Sequence, residues 1–242
     1  MSFPSDWNDI LLTAILPAYN ERDTVEAVVN RLHEVPLRIE IVAVDDCSTD
    51  DTGEILERLG KEGLVQKVLH QSTNVGKGAA VRAGIAAATG HVIVVQDADL
   101  EYDPSDLPTL LDPIRLGKAD AVYGSRFQSG PRRVLFFWHA VGNRFLTLLS
   151  NMLTDMNLSD METCYKMVRA DLLKSLRLTS NRFGIEVELT ARLARAGARV
   201  WEIPISYSGR TYAEGKKIDW RDGLAALWHV IRFNLLTRKH RV

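Results

Sequence analysis

The sequence lacks the features that mark several large classes of protein. Only two of its 242 residues are cysteine. Cys47 and Cys164 stand far apart and fit no zinc spacing, so they read as free thiols in a reducing compartment. No run of about 18 or more uncharged apolar residues appears, so no segment is expected to span a bilayer. Residues 1–9 are polar and lack the basic-then-apolar plan of a secretory leader. Lys and Arg together number 30 and Asp and Glu 31, a formal net charge of −1, which suggests no polyanion partner and no nucleic acid. There is no internal repeat and no low-complexity segment. The phosphate-loop pattern Gly-x-x-x-x-Gly-Lys-Ser/Thr is also missing, although Lys77 invites it. Gly76-x-Gly78 begins like a dinucleotide fingerprint. Its third glycine falls at Gly84, too late, and it follows the third expected strand instead of the first, which argues against a nicotinamide dehydrogenase.

What is present is a 46% hydrophobic fraction, enough to fill the core of one large α/β domain or two small ones. Short apolar, β-branched runs predict strands over 10–16, 39–44, 65–70, 91–96 and 119–123. Between them, residues 24–35, 54–61, 74–88 and 104–116 carry helical signals, the last begun by a proline suited to a first turn. This alternation predicts a mostly parallel sheet with helices on both faces. The second half is less regular. A Gly/Pro-containing basic loop at 128–133 precedes an apolar stretch over 134–153. His139, Gly142, Asn143 and Arg144 interrupt that stretch, so it reads as amphipathic, either a core helix or one lying at a membrane interface. Further elements are expected at 164–168, 185–196, 200–207 and 221–236. Pro204 marks the third of these as an edge strand. The last is a helix with an apolar stripe of Leu224, Leu227, Trp228, Ile231 and Leu235 and a basic tail. It either packs on the domain or docks on anionic lipid.

Ligands in such sheets bind beyond the carboxyl ends of the strands. The polar clusters of the first half all fall there: Tyr19 and Glu21, Asp45 and Asp46, Asp97 and Asp99, and Arg126. The sharpest is Gln96-Asp97-Ala98-Asp99-Leu100-Glu101. Alternation along a strand would point Asp97 and Asp99 the same way. Like-charged carboxylates held close call for a cation between them, and hard oxygen ligands suit Mg²⁺ or Mn²⁺. A solvated acidic turn would carry the same Asp-x-Asp, so the convergence of clusters decides the reading.

Pro17-Ala18-Tyr19-Asn20-Glu21, Val44-Asp45-Asp46-x-Ser48, Asn74-x-Gly76-Lys77-Gly78, Asp97-Ala98-Asp99-Leu100, Gly124-Ser125-Arg126 and Arg210-x-Tyr212-x-Glu214-x-Lys216 occur in this order. As a set they resemble the family 2 inverting glycosyltransferases of the GT-A (Rossmann-like) fold. The chain looks most like the dolichyl- or polyprenyl-phosphate mannosyl- and glucosyltransferases. The resemblance runs from about residue 12 to 217. It implies one domain over 1–242: a nucleotide-sugar half (10–126), an acceptor half (127–219), and a C-terminal amphipathic helix with a basic tail (220–242), without a transmembrane span.

The same resemblance implies roles. Pro17, Tyr19, Glu21, Val44 and Asp46 would cradle the nucleoside. Asp97, Ala98 and Asp99 would hold metal and sugar diphosphate, with Glu101, where many relatives have Gln, as a third metal ligand. Arg126, Arg210 and Lys216 would face phosphates, and Asp160 stands where relatives carry the proposed general base, with Glu162 as its competitor. Loop 128–133 would be the mobile acceptor loop, and Arg132, Arg133 and Arg144 would orient the acceptor. The implied reaction is metal-dependent inverting hexosyl transfer from a nucleoside-diphosphate sugar to polyprenyl or dolichyl phosphate. Mg²⁺ or Mn²⁺ is the cofactor. GDP-mannose is preferred over UDP-glucose because of the 210–216 motif. The implied location is cytoplasmic, at the membrane face. Two alternatives stand beside it: transfer to a soluble glycan, and a non-catalytic nucleotide-sugar-binding module.

Overall fold

The computed structural model describes residues 9–128, 133–134, 136–211, 214 and 220–237. Arg132, Lys216, Tyr212 and the basic tail at 238–241 lie outside the described residues. The alternation expected from sequence is present. β1 (Leu11–Ala18), α1 (Val25–Glu34), β2 (Arg38–Asp45), α2 (Thr52–Lys61), β3 (Lys67–His70), α3 (Lys77–Ala87) and β4 (Val92–Val95) follow one another. A short 3₁₀ turn, Pro104–Asp106, leads into α4 (Leu107–Arg115) and β5 (Ala121–Ser125). Then come α5 (Phe137–Thr154), β6 (Lys166–Arg169), α6 (Ala170–Ser175), α7 (Ile185–Arg195), β7 (Val200–Pro204) and α8 (Trp220–Ile231), the last running into a π-helical turn, Arg232–Leu236. α6 had no counterpart in the sequence reading. At one turn and a half it is too short to show a helical period.

Seven strands form one sheet in the order β3-β2-β1-β4-β6-β5-β7. β1 pairs in parallel with β2 and β4, β2 with β3, and β5 with β7. β6 is antiparallel to both its neighbours. The edge position expected for the Pro204 strand holds, since β7 closes one side of the sheet. Apolar residues of both sheet faces are covered. Val25, Val29, Leu32, Leu56, Leu110 and Ile114 of α1, α2 and α4 pack on one. Val81, Ile85, Leu173, Leu189, Leu193 and Val230 of α3, α6, α7 and α8 pack on the other. No described helix is long and apolar enough to cross a membrane.

Two local differences from the sequence reading have simple causes. β1 does not stop at Pro17 but carries it, paired with Val44. Ile15 accepts its backbone bond from Gln96, on the β4 side, and Pro17 has the same parity. β4 has ended at that level, so the missing N–H leaves no gap in a ladder. β4 itself ends at Val95, so Asp97 and Asp99 do not share a strand face. They lie in the following turn, where Leu100 takes φ 61° and its neighbour Glu101 donates its backbone N–H to Asp99 Oδ1 at 3.1 Å.

β1 and β4 are parallel, but the order in which strands are added switches sides between them, which makes the crevice above their carboxyl ends the natural ligand site. Because β6 runs the other way, the loop before it opens on that same edge. Asp160 and Glu162 reach the crevice for this reason. α3 enters the crevice too, and its first turn lies against segment 180–182. Ala79 donates its backbone N–H to Asn181 O at 3.0 Å. A Cβ at Gly78 would stand 2.5 Å from Ser180 O and 2.8 Å from Arg182 O, both backbone atoms. Alanine improves helix propensity by about 1 kcal/mol, but overpacking against backbone costs roughly 1–3 kcal/mol. Gly78→Ala is therefore expected to lower stability by about 1–2 kcal/mol in urea unfolding, and unchanged stability would mean that the contact relaxes freely.

Candidate active site

The crevice is walled by loops tied together through side chains. After β1, Asn20 takes φ 53° and its side-chain oxygen accepts from Thr49 N at 2.8 Å. Glu21 N donates to Thr52 Oγ1 at 2.9 Å. These bonds fix the Tyr19–Glu21 turn, and Tyr19 is partly exposed there. After β2, Asp46 accepts from Val75 N at 3.0 Å and Gly76 N at 2.8 Å. Its carboxylate thus anchors the Asn74–Gly78 loop. Gly76 takes φ 109° at the start of α3. Asp46 sits beside the expected nucleoside pocket with both oxygens committed to that loop.

The acidic turn after β4 meets two cations. Arg210 donates Nη2 to Asp99 at 2.9 Å and Nη1 to Glu21 at 3.3 Å, and its backbone N–H donates to Glu101 at 2.8 Å. Tyr207 OH donates to the other Glu101 oxygen at 2.6 Å. Glu101 therefore braces the Tyr207–Arg210 segment. Lys77 Nζ lies 2.8 Å from Asp97 Oδ1 and 3.0 Å from Glu186 Oε1. Burial pulls the Lys77 ammonium down, but Asp97 and Glu186 outweigh it and hold it well above the ordinary lysine range. Burial, then Asp97 and Glu101, push the Asp99 carboxyl up to about 7 against the pull of Arg210.

A second charged pair lies deeper. Arg126, at the end of β5, donates Nε and Nη2 to the two oxygens of Asp160 at 2.7 and 2.8 Å. Asn143 of α5 adds a bond at 3.0 Å. Asp160 is fully buried. Burial alone would raise it, but Arg126 and Asn143 hold the carboxyl below its usual range. It can take a proton from an acceptor only if Arg126 lets go. Glu202 supports the loop from below by accepting from Ser159 N and Asp160 N. Glu162 is no solvated carboxylate. Burial and the nearby Glu186 push it up to about 7, against Lys166 and Arg126.

Among the acceptor candidates, Arg133 pairs with Glu214 at 2.8 Å and Arg144 is exposed on α5. The structure thus brings together Glu21, Asp97, Asp99, Glu101 and Arg210, with Arg126 and Asp160 as a separate pair. Sequence reasoning missed Lys77 as a site residue, Glu186, Glu202 and Tyr207. The Gly-Lys-Gly spacing and the polar interruption at Asn143 were usable signals. Glu186 and Glu202 had none, since each sits in an ordinary helix or strand.

Among the described residues, no three His, Cys, Asp or Glu side chains converge as a closed metal cage. Mg²⁺ and Mn²⁺ bound with a diphosphate need only one or two carboxylates, the remaining ligands being phosphate oxygens and water. Asp97 and Asp99 meet that demand. The elevated Asp99 carboxyl reflects burial first and then repulsion from Asp97 and Glu101, and a cation would favour its charged form.

The family model for glycosyl transferase family 2 matches residues 13–177. An undecaprenyl-phosphate mannosyltransferase of Micrococcus luteus is 32% identical over 244 residues, covering 91% of this chain and 97% of that protein. A polyprenol monophosphomannose synthase of Mycolicibacterium smegmatis is 30% identical over 210 residues, covering 84% and 79%. Among solved structures, glucosyl-3-phosphoglycerate synthase from Mycobacterium tuberculosis with Mn²⁺ and UDP-glucose superposes with a TM-score of 0.71 at 20% identity, covering 94% of this chain and 79% of that one. That likeness establishes the GT-A-like fold.

The Asp99 carboxyl gives a signed pH effect. Its folded pKa, about 7, lies above the ordinary 3.8, so the native state binds the extra proton between those values. Stability should therefore fall as pH rises through that window. Urea unfolding of chelator-treated protein from pH 5 to 8 is expected to show this decline. Asp99→Asn should make it shallower, the remainder coming from Glu162 and His70, both of which are also raised in the folded state. An identical slope in the variant would remove Asp99 as the titrating group.

Proposed function

The chain belongs to glycosyl transferase family 2 and is a glycosyltransferase; from that premise we propose that it transfers a hexosyl unit, mannosyl in preference to glucosyl, from a nucleoside-diphosphate sugar to a polyprenyl phosphate, with inversion. Relatives named for undecaprenyl-phosphate and polyprenol mannosyl transfer support the acceptor. GDP-mannose is the preferred donor and UDP-glucose the second. Asp97 and Asp99 would hold Mg²⁺ or Mn²⁺ together with the diphosphate. The cation neutralises charge on the departing diphosphate. Pro17, Tyr19, Glu21, Val44 and Asp46 line the nucleoside end, Ala98 the diphosphate. Arg126 and Arg210 supply fixed positive charge, arginine with bidentate reach to phosphate. Lys216 and Arg132 extend that assignment by position, and Arg133 and Arg144 are further contacts for the acceptor phosphate. Division into a donor half and an acceptor half follows the same assignment.

One observation carries the lipid acceptor: α5 has two working faces. Asn143 reaches Asp160 on the inner face. Outward it shows Phe137, Trp138 (76% exposed), Phe145, Leu148 and Met152 (73%). Leu224 and Trp228 of α8, with Leu235 and Leu236 beyond it, add exposed apolar surface on a neighbouring helix that packs on α5. An apolar, aromatic face beside a phosphate-binding site suits peripheral contact with the membrane that holds the acceptor. A soluble glycan would need no such surface.

Two measurements test the proposal. Asp97→Asn should abolish transfer to detergent-dispersed polyprenyl phosphate while leaving the unfolding transition cooperative, and full activity would overturn the metal assignment. Trp138→Ser combined with Phe145→Ser should weaken binding to phospholipid vesicles by at least about tenfold, since burying each large apolar side chain contributes roughly 1.5–3 kcal/mol. Donor affinity should not change. Vesicle binding indifferent to both substitutions would favour the soluble-glycan alternative.

A further inference from the structure

Lys77 and Glu186 have no part in the assignments above, yet they form a relay onto a proposed metal ligand. The Lys77 ammonium straddles the Asp97 carboxylate, 2.8 Å from Oδ1 and 3.2 Å from Oδ2. It also touches Glu186 Oε1 at 3.0 Å. Only one Glu186 oxygen is used. Oε2 is buried without a hydrogen-bond partner, on a residue that is 9% exposed. An orphaned carboxylate oxygen at such a depth costs free energy, and in a native structure it marks a place for an ordered water, an ion or a functional partner.

The backbones on either side are fixed. The first turn of α3 is locked onto segment 180–182 by the Ala79–Asn181 bond and the tight Gly78 contact. Arg82 Nη2 adds a bond to Asn181 Oδ1 at 2.5 Å. The same segment is tied to α7 through Glu188, which accepts from Thr179 N at 2.8 Å and Ser180 N at 2.7 Å. Glu186 also lines a cavity with Val81, Ile85, Cys164, Lys166 and Leu189. Lys77 already touches Glu186, so leaning from Asp97 onto that carboxylate needs only a small side-chain movement.

We propose that Lys77 is the resident counter-ion of Asp97, and that Glu186 is the station that receives it when a divalent cation takes over that carboxylate. The inference rests on Asp97 being a metal ligand, as proposed above. A lysine ammonium and a divalent cation repel each other, so each weakens the other's hold on a shared carboxylate. Without metal, Lys77 keeps Asp97 from standing uncompensated beside Asp99 and Glu101. With metal, that repulsion drives the lysine toward Glu186, which sets how easily it leaves Asp97. Both are positioning residues in this scheme.

The test is a double-mutant cycle on Mn²⁺ affinity, read from the EPR signal of free Mn²⁺ during titration of the donor-free 242-residue chain with MnCl₂. Lys77→Met removes the competitor and should tighten binding by about tenfold, the scale expected for a partly buried ion pair. Glu186→Gln leaves the lysine dependent on Asp97 and should weaken binding by about threefold to tenfold. In the Lys77→Met background the same Glu186→Gln change should have little effect. Equal effects of Glu186→Gln in both backgrounds, or weaker binding in Lys77→Met, would overturn the handover. Should Lys77→Met fail to fold, Lys77→Gln, which can still donate to Glu186, closes the same cycle. Asp97→Asn separates the two claims. Loss of Mn²⁺ binding in that variant leaves the premise standing whatever the cycle shows, and undiminished binding removes both.

Discussion

Everything in this crevice depends on holding several carboxylates together without letting them push apart. Glu21 closes the β1 loop, and Asp97, Asp99 and Glu101 fill the turn after β4. Two cations lie among them. Arg210 bridges Glu21, Asp99 and Glu101, and Lys77 holds Asp97 from the far side. The compensation is incomplete. Asp99 is still pushed up to about 7 with a guanidinium 2.9 Å away, so its repulsion from Asp97 and Glu101 and its burial outweigh that contact. A site in this condition is poised for additional positive charge. On the function proposed above, a ligand bringing a divalent cation would also bring a diphosphate, and Arg210 would stand beside it.

The sheet supplies the geometry for this. The order β3-β2-β1-β4 leaves a crevice at the reversal point, and the loops from β1 and β4 face each other across it. The antiparallel β6 turns the usual arrangement round, so the segment before the strand arrives at the ligand edge. Asp160 is delivered there, and Lys166, at the start of β6, ties the loop down by donating to Met161 O at 2.7 Å and to Thr163 O. α5 then connects that loop to the exposed apolar face through Asn143. One helix thus reports on the interior pair and on the surface at once.

Much of this was legible in the residues. The alternation of β-branched runs with helical periods gave the parallel half of the sheet, and Pro204 marked its edge. The acidic turn and Glu21 were found because charged groups clustered where strands stopped, and Arg210 because its motif matches the family's. Other features were hidden for physical reasons. The antiparallel sense of β6 depends on long-range pairing and leaves no mark on four residues. Glu186 looks like a favourable acid in the first turn of a helix, which the helix dipole alone would explain. Only packing brings it within 3.0 Å of Lys77. Asp97 and Asp99 were read as strand neighbours because the apolar run gave no sign that pairing ends at Val95. Their convergence survives because the turn, with Leu100 at φ 61° and Asp99 capping Glu101 N, does the work assigned to the pleat.

The Arg126–Asp160 pair bears on which acceptor chemistry this arrangement suits. A hydroxyl acceptor must lose a proton, and a base serves best with a pKa near the working pH. Asp160 is held below the usual carboxylate range, and its oxygens are committed to Arg126 and Asn143. To act as a base it would have to break a bidentate pair inside a fully buried pocket, which costs several kcal/mol by the general scale for such pairs. A phosphate acceptor is already ionised near neutral pH and asks for something else: a cation fixed in direction, close to the leaving diphosphate. In the role proposed for Arg126, a guanidinium clamped by a buried carboxylate would provide that, because its planar fork cannot rotate away. The same carboxylate that makes a poor base therefore makes a firm mount for an arginine, and the chemistry that needs only the mount is transfer to a phosphate.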